Sequence, residues 1–485
     1  MGSEPVPHTS PTALPGYAAT GRIDELRATE YRHLDADGRV YLDYAGAGVT
    51  AQAQVRAHHD RLLAGLYSNP HSENPTSAAA GSLVESARRA VLDFFRADPA
   101  EYAVVFTPNA SGACRLVGEA YDFGRTASLV LTWDNHNSVN GIREYARSAR
   151  GPVRYVPLDG PELRVAESDL VATLDAGRGR LARRSRRRGL FAYPAQSNFS
   201  GVQHPLGWVE LAHHRGYDVL LDAAAFAPTN RLDLSVVRPD FVCLSWYKLF
   251  GYPTGVGALL ARRSALARLR RPWFAGGTIR AVSVQGDWHR PMDDESAFED
   301  GTLNFLSIPD VEFGLRWLDS IGVDLVHSRV GLLTAWLLER LATLRHDTGG
   351  PLVEVYGPTT GAGRGGTVTF NLRHPDGTVV DERLVAREAA AAGFSLRTGC
   401  FCNPGAGEGA FGISRAATRQ RLLAGVDTID QYLAALRLPT GGAVRVSFGL
   451  ASTATDAERF VAFVQSTYLN RGAGAESPLP PRLRC

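Results

Sequence analysis

The sequence predicts an α/β protein in which a large, mostly parallel sheet is followed by a smaller α+β domain. Between Val40 and about Leu260, apolar runs rich in β-formers alternate with helical stretches, which is the pattern of βα units. After about Ser307 this alternation gives way to helices, short strands and Gly-rich turns. The 485 residues are 44% hydrophobic and 21% charged, so the chain can bury a core large enough for such a fold.

The individual elements follow from local patterns. Leu83, Ala87, Ala90 and Phe94 have the spacing of one apolar helix face. Strands of the large sheet are predicted at residues 103–107, 127–132, 190–194, 218–222, 240–245 and 257–261. In the C-terminal part the patterns predict a helix near 323–344, strands at 368–372 and 444–448, and a last helix near 455–464.

These elements divide the chain into four segments. The large domain is predicted over residues 40–306 and the small domain over 307–470. Residues 1–39 would form an N-terminal extension, and 471–485 would form a tail. Pro and Gly are frequent in residues 1–20 and in the tail, so both stretches are expected to be disordered.

Composition and charge exclude several classes of protein. The net charge is +2, so the charge balance favours neither a nucleic acid nor a membrane as a partner. No apolar run has the length of a transmembrane helix, and the N-terminus lacks the blocks of a signal peptide, so we expect a cytoplasmic protein. Seven arginines lie between Arg178 and Arg188. This run could bind nucleic acid or an acidic protein, but it lacks interleaved aromatic residues, which favours a solvated loop.

Lysine is the most informative residue type in this chain. Only one of the 52 basic residues is a lysine, Lys248. Arginine can replace lysine in surface ion pairs but stays protonated, whereas a lysine amine can lose its proton and attack a carbonyl. From composition alone, a leftover surface lysine is an equal alternative. Lys248 follows an apolar strand and precedes a Gly/Pro turn, and this position favours a chemical role.

An acid completes the pattern around this lysine. Asp222 ends a predicted strand, and ligands of open α/β sheets bind at the carboxyl ends of strands. An amine and an acid at neighbouring strand ends match the needs of pyridoxal phosphate, whose aldehyde binds a lysine and whose pyridine nitrogen stays protonated beside a carboxylate. A helix cap or an ion pair is the alternative for Asp222 alone. The turn after Thr107 offers backbone N–H groups, and the hydroxyl of Ser111, to a phosphate.

Eight motifs occur in order between Val40 and Val464. They are YLDYAG (41–46), YSNPHS (67–72), DNHNS (134–138), YPAQSNFSG (193–201), LDAAA (221–225), SWYKLFGYPTG (245–255), FEDGT (298–302) and LRTGCFCNPG (396–405). Together they resemble the aminotransferase class V, cysteine desulfurase-like family and, within it, the N-terminal domain of molybdenum cofactor sulfurases. The resemblance implies the fold type I architecture of pyridoxal phosphate-dependent transferases, with a mostly parallel, seven-stranded sheet, and a homodimer.

The resemblance also implies roles for individual residues. Lys248 corresponds to the Schiff-base lysine, and Asp222 corresponds to the partner of the pyridine nitrogen. His136 corresponds to the residue that stacks on the ring, and Asn198 to a side chain near the ring hydroxyl. The positions that correspond to phosphate-binding residues are Ala110, Ser111, Ser245, Tyr247 and, from the other subunit, Thr302.

The segment from Arg397 to Cys402 indicates the reaction. An arginine can bind the carboxylate of an amino acid through a bidentate fork, and a nearby thiolate can take sulfur from that amino acid. Cys402 corresponds to the persulfide-forming cysteine of the family, and Cys400 is the second candidate. The implied reaction takes sulfur from L-cysteine or a related amino acid, releases alanine and passes the sulfur to a protein or a small molecule. The cysteine spacing favours no metal site, and Cys114 and Cys243 have the apolar context of core residues.

Departures from the family pattern leave alternatives open. Gly407 stands where the family has a further cysteine, and Ala225 stands where many desulfurases carry glutamine. Eukaryotic-type sulfurases carry a further C-terminal domain that receives the molybdenum cofactor, whereas this chain ends soon after its last predicted helix, so we expect a stand-alone sulfur donor. The alternatives are a pyridoxal phosphate-dependent lyase, epimerase or aminotransferase in which Cys402 is a bystander, and a noncatalytic protein that binds through its arginine run.

Overall fold

A computed structural model describes residues 10–179, 187–414, 416, 428–436, 438, 440–474, 479 and 481–482. Most of the arginine run and Cys485 lie outside the described residues. The strands are β1 (Val40–Tyr41), β2 (Tyr102–Thr107), β3 (Leu129–Thr132), β4 (Val153–Val156), β5 (Gly189–Pro194), β6 (Tyr217–Asp222), β7 (Phe241–Ser245), β8 (Gly257–Arg262), β9 (Ile279–Ser283), β10 (Trp288–Pro291), β11 (Val353–Tyr356), β12 (Thr367–Leu372), β13 (Phe394–Ser395), β14 (Arg397–Gly399) and β15 (Ala443–Ser447).

A seven-stranded sheet forms the centre of the N-terminal two thirds of the chain. Its order is β2-β8-β7-β6-β5-β3-β4; β8 is antiparallel to both of its neighbours, and all other pairs are parallel. The predicted α/β class is therefore confirmed, and the six predicted strands coincide with β2, β3, β5, β6, β7 and β8. The edge strand β4 was not predicted, because its partly exposed residues lack a continuous apolar run.

Helices cover both faces of this sheet. The helices are α1 (Arg22–Thr29), α2 (His33–Ala36), α3 (Gln52–Ala64), α4 (Pro75–Phe94), α5 (Ala110–Ala120), α6 (Asn137–Asn140), α7 (Ile142–Ser148), α8 (Glu167–Gly177), α9 (Trp208–His214), α10 (Trp246–Phe250), α11 (Arg263–Leu266), α12 (Pro309–Ile321), α13 (Val323–Thr343), α14 (Glu382–Ala391), α15 (Pro404–Ala410), α16 (Ile429–Leu436) and α17 (Ala454–Tyr468). Along β2, Phe106 packs with α4 and α12 on one face, whereas Val105 packs with α5 and α7 on the other. This follows from the alternation of side chains along a strand.

No single helix among the described residues is long and apolar enough to cross a membrane. The pair α12 and α13, bent by 68°, reaches that length and composition only when both helices are taken together.

The C-terminal part is built on a smaller, antiparallel sheet. Its order is β11-β12-β15-β14, and α13 and α17 pack in the core beside it. Strand β1 pairs in parallel with β13, and Asp43 makes an isolated bridge to Ser447. The chain from Val40 to Asp43 therefore belongs to the small sheet's side of the molecule, although it was predicted to open the large domain. Pairing across some 350 residues leaves no local sequence pattern.

The N-terminal extension is ordered from residue 10 onwards, which corrects the predicted disorder of residues 1–20; residues 1–9 lie outside the described chain. Arg329 on α13 is fully buried and donates to Asp24 (2.7 Å) and to the hydroxyl of Thr20 (2.7 Å). Its guanidinium also lies 4.0 Å from the centre of the Tyr17 ring. The buried Arg329 therefore holds the segment around residues 17–24 in place. Composition alone does not reveal a contact with an arginine 305 residues away.

The sheet aligns the elements that matter for function. The parallel strands end at one edge, where β6 leads to Asp222, β7 leads into α10 with Lys248, and β5 leads toward Asn198. The start of α5 approaches the same edge from β2. Gly257 permits this approach, because a Cβ atom there would lie 2.5 Å from the backbone of Asn109.

Candidate active site

A cleft of about 390 Å³ opens at the carboxyl edge of the seven-stranded sheet. Its walls come from the ends of β5, β6 and β7, from the start of α5, and from the turn before α6. Eight of the predicted site residues line it: Ala110, Ser111, His136, Asn198, Asp222, Ser245, Tyr247 and Lys248. The structure therefore brings together residues that are up to 138 positions apart in sequence.

Lys248 lies on α10, directly after β7, and its amine faces the cleft. Burial lowers the pKa of this amine below its ordinary value, and the Asp222 carboxylate partly opposes the shift. The positive charges of Arg445 and Arg397 lower the pKa of Lys248 further. Within the described ranges, no hydrogen bond engages Nζ of Lys248. An amine with these properties is available for a covalent bond to a carbonyl.

His136 and Asp222 face the same space. Asp222 uses Oδ1 to accept the N–H of Ala224 (3.0 Å), which fixes its carboxylate at the end of β6. The Nδ1 atom of His136 accepts the backbone N–H of Ser138 (3.1 Å), so a neutral ring carries its proton on Nε2. Burial lowers the pKa of His136, and the charge of Lys248 adds to this shift.

The start of α5 supplies the donors for an anion. Asn109 caps the helix by accepting the N–H of Gly112 (2.9 Å), and the N–H groups of Ala110 and Ser111 lie in the first turn beside the cleft. The hydroxyl of Ser111 lies 2.5 Å from that of Ser138. Backbone N–H groups and the helix dipole favour an anion such as a phosphate at this position.

These residues fit pyridoxal phosphate on the chemistry of the donor set. The cleft offers an amine of lowered pKa for the aldehyde, a carboxylate for the pyridine nitrogen and a helix start for the phosphate. Lys248, Asp222 and Ser111 would hold the three ends of the cofactor. His136 and Asn198 would lie beside its ring.

A second group of charges lies next to the cleft and includes a residue that the sequence analysis missed. Arg397 on β14 is the direct cross-strand neighbour of Arg445 on β15. Two like charges at opposed positions repel each other, and Asp43 offsets this repulsion. Its Oδ1 lies 2.8 Å from Arg445, and its Oδ2 lies 3.2 Å from Arg397.

The two arginines differ in their surroundings. The side chain of Arg397 is 50% exposed, whereas that of Arg445 is 2% exposed. Burial lowers the pKa of Arg445 despite the nearby Asp43. In the part of the chain that the structure describes, Nε of Arg445 is buried and has no hydrogen-bond partner. A buried guanidinium with a spare donor is suited to a carboxylate ligand. The sequence carries a weak signal for it, since Arg445 lies inside a predicted strand of the small sheet.

Cys402 lies in the loop between β14 and α15, and this loop reaches the cleft. The carbonyl oxygen of Cys402 accepts the N–H of Asn137 (2.7 Å), the residue after His136. The side-chain amide of Asn198 donates to the carbonyl of Phe401 (2.8 Å). Cys402 and Cys400 are both partly exposed, and neither forms a disulfide. Both thiols therefore stay candidates for sulfur chemistry.

Three predicted residues remain: Thr302, Cys114 and Cys243. Thr302 is exposed and lies outside the cleft of its own chain, where its hydroxyl accepts the side-chain N–H of Asn69 (3.2 Å). Cys114 and Cys243 are buried, and their sulfur atoms are 3.5 Å apart. Both pack in the core as predicted, and Cys114 also lines the cleft.

Comparisons with known proteins find similar sequences and a similar fold. The aminotransferase class-V family model matches residues 40–460. Molybdenum cofactor sulfurase from Solanum lycopersicum is 37% identical over 480 residues, which cover 94% of this chain and 58% of that protein. The Arabidopsis thaliana protein of the same name is 35% identical, and the match covers 92% of this chain and 58% of that protein. The chain thus spans less than two thirds of these relatives.

A solved structure gives the same fold. The apo structure of a cysteine desulfurase from Thermococcus onnurineus NA1 superposes with a TM-score of 0.74 at 22% identity, and the match covers 96% of this chain and 99% of that one. The predicted fold type I architecture is therefore confirmed.

The lowered pKa of His136 leads to a testable expectation. In the cofactor-free protein, we expect its imidazole to titrate below the ordinary value of 6.5, because burial and the charge of Lys248 both disfavour the imidazolium. NMR of ¹³C-labelled histidine measures the midpoint, and His136→Gln assigns the signal. Lys248→Met removes one of the two causes and should raise the midpoint.

The sign of the stability effect follows. Because the folded protein holds its proton on His136 less tightly than the unfolded chain does, this group lowers stability as the pH falls below about 6.5. A midpoint at or above that value in the unsubstituted protein would contradict the expectation.

Proposed function

The chain belongs to the aminotransferase class-V family of pyridoxal phosphate enzymes, and on that premise we propose that it takes sulfur from L-cysteine onto Cys402 and passes it to an acceptor. One observation carries the proposal. The Cys402 loop is hydrogen-bonded to the residue that follows His136, so a thiol lies beside the cleft that holds the reactive lysine. The sulfurases and the desulfurase named above support the same reaction.

When bound, pyridoxal phosphate supplies an electron sink for cleavage of bonds at the substrate Cα. Lys248 takes up the proton from Cα of L-cysteine with Nζ and later returns a proton to the carbon that loses sulfur. Its lowered pKa favours this work, because a neutral amine accepts a proton and an ammonium does not. Burial also lowers the pKa of His136, which favours its neutral form with the proton on Nε2.

Cys402 performs the sulfur transfer. Its thiolate attacks the sulfur of L-cysteine; an S–S bond forms to Cys402, and the C–S bond of the substrate breaks. The electron pair of that bond stays with the carbon skeleton, which gains a proton and leaves as alanine. The product on the protein is a persulfide, Cys402–S–SH, which a protein thiol or a small-molecule thiol can accept.

The arginine pair provides the carboxylate end of the substrate site. We assign the α-carboxylate to the guanidinium of Arg397, as the sequence suggests, together with the spare Nε of Arg445. Before the substrate binds, the carboxylate of Asp43 forms ion pairs with both arginines. A substrate without a carboxylate lacks this contact.

The active site requires a second subunit under this proposal. Thr302 is exposed outside the cleft of its own chain, so its phosphate contact would reach the cofactor of a partner. Exposed apolar side chains lie nearby: Leu63 in the last turn of α3 and Leu66 just after that helix are 76% and 77% exposed. The side chain of Arg61 on α3 donates a hydrogen bond to the backbone carbonyl of Leu306, whose side chain is also exposed. A homodimer would cover them.

The reaction is tested by measuring alanine released from L-cysteine with a thiol reductant present. Cys402→Ala should lower the rate by at least about 100-fold, because the attacking sulfur is lost. Cys400→Ala in the same loop is the matched control and should stay near the unsubstituted rate. Lys248→Ala should abolish the reaction.

Other outcomes separate the alternatives. Pyruvate and sulfide in place of alanine, unaffected by Cys402→Ala, would indicate a lyase. Equal losses in the two cysteine variants would contradict the assignment to Cys402.

The carboxylate assignment is tested with cysteamine, which lacks the carboxylate of L-cysteine. Arg397→Gln should lower kcat/KM for L-cysteine by about 10- to 100-fold, through loss of a charge-assisted hydrogen bond. The value for cysteamine should change little. Arg316→Gln, on an exposed helix face, is the control. A parallel loss on both substrates would argue against carboxylate recognition.

The homodimer is tested by sedimentation and cofactor titration. The holoprotein should sediment with twice the mass of one chain. Thr302→Val should weaken pyridoxal phosphate binding by about 10-fold without dissociating the dimer, since one hydrogen bond is lost. Thr343→Val at the end of α13 is the matched control. A monomer that binds cofactor normally would refute the shared site.

A further inference from the structure

This inference rests on the proposed function and concerns the loop that carries Cys402. We propose that Asn403 is a positioning residue for sulfur transfer. Its side-chain amide fixes the loop against the cleft, so that the thiol of Cys402 meets the substrate sulfur at a defined place.

Asn403 follows Cys402 directly and is fully buried. Its Nδ2 donates to the backbone carbonyl of Asp134 (2.7 Å) and to Oδ1 of Asn198 (2.8 Å). Its Oδ1 accepts the N–H of Ala406 (3.3 Å) and thereby caps α15. The two donor bonds lead to the cleft, because Asn198 lines it and Asp134 lies two residues before His136.

The partners of Asn403 are themselves held in place. Asn198 donates back to the carbonyl of Phe401 (2.8 Å), so the two asparagines close a ring of hydrogen bonds around the loop. The carboxylate of Asp134 lies 2.7 Å from Nε2 of the buried His204. Removal of the Asn403 amide would leave the buried acceptors on Asp134 and Asn198 without this donor, which costs free energy.

The backbone of the loop explains why support is required. Phe401 and Cys402 have φ angles of +54° and +53°, and two successive non-glycine residues in the left-handed region are costly. Phe401 is buried, packs 5.4 Å from the ring of Phe199 and lies under the guanidinium of Arg445. Such a backbone persists only where the surroundings hold it.

The expected consequence is specific to the sulfur step. Attack on sulfur needs reacting atoms about 3 to 3.5 Å apart, and a displacement of about 1 Å can cost roughly 100-fold in rate. Lys248, which transfers the proton, lies on α10 and is not part of the loop. Loosening the loop should therefore slow persulfide formation and leave the exchange of the substrate α-hydrogen intact.

Asn403→Asp is the sharpest variant, because aspartate keeps the shape and the helix cap but replaces both N–H donors by an acceptor. Asn403→Ser keeps a capping oxygen and adds no charge, so it separates the loss of the two donors from the effect of a buried carboxylate. Asn470→Asp is the matched control: its Oδ1 also accepts a backbone N–H, from Asp347 (2.7 Å), away from the cleft.

Three measurements on the holoenzymes test the role. Mass spectrometry follows the persulfide on Cys402, and incorporation of deuterium follows exchange at Cα of L-cysteine. Backbone amide exchange reports the order of residues 399–411. Both Asn403 variants should form persulfide about 10- to 100-fold more slowly, with α-hydrogen exchange changed by less than about twofold and faster amide exchange in this segment. The Asn470 variant should match the unsubstituted enzyme.

The inference and the proposed function fail in different ways. If the unsubstituted enzyme releases no alanine, the proposed function is wrong. Amide exchange still tests in that case whether the Asn403 side chain orders the loop. Unchanged amide exchange, an unchanged persulfide rate, or an equal fall in persulfide formation and α-hydrogen exchange would each overturn the inference. Failure of both variants to fold would also overturn it, because Asn403 would then be a general structural residue.

Discussion

The excess of positive charge around Lys248 is the constraint on which the site depends. Lys248, Arg397 and Arg445 lie within electrostatic reach of one another, and Asp222 and Asp43 are the carboxylates that oppose them. When Lys248 is protonated, the three positive charges outnumber the two carboxylates, and burial makes this excess costly, which favours the unprotonated amine. A phosphate at the start of α5 and a carboxylate at the arginine pair would supply the missing negative charge. Burial, together with these positive charges, lowers the pKa of His136 and of Lys248.

The site is composite, because its charges come from distant parts of the chain. Lys248 and Asp222 lie at the ends of parallel strands, where the sheet fixes them. Arg445 lies on the small antiparallel sheet, and Asp43 arrives from the N-terminal segment that pairs with that sheet. The buried contacts of Arg329 hold the preceding residues on the same side. The ordered N-terminal extension therefore helps to position Asp43, whose carboxylate bridges Arg397 and Arg445.

The sequence predicted best where local signals are strong. Buried parallel strands are continuous apolar runs, and the single lysine stands out because arginine cannot replace a neutral amine. Arg445 was missed because its place within a predicted strand is only a weak sign of burial and does not identify its partner Asp43. The hydrogen-bonding role of Asn403 was hidden for the same reason: Asp134 and Asn198 are more than 200 residues away. The order of residues 10–20 depends on Arg329, which composition does not connect to them.

The two halves of the proposed reaction are carried by different parts of the molecule. The large sheet holds the lysine that moves protons, whereas the small sheet and its following loop hold the arginines and the cysteine that receive the carboxylate and the sulfur. Hydrogen bonds of Asn198, Asn403 and Asn137 join these parts at the Cys402 loop. Since attack on sulfur tolerates little displacement, the polar contacts of the Cys402 loop bear directly on the rate of sulfur transfer.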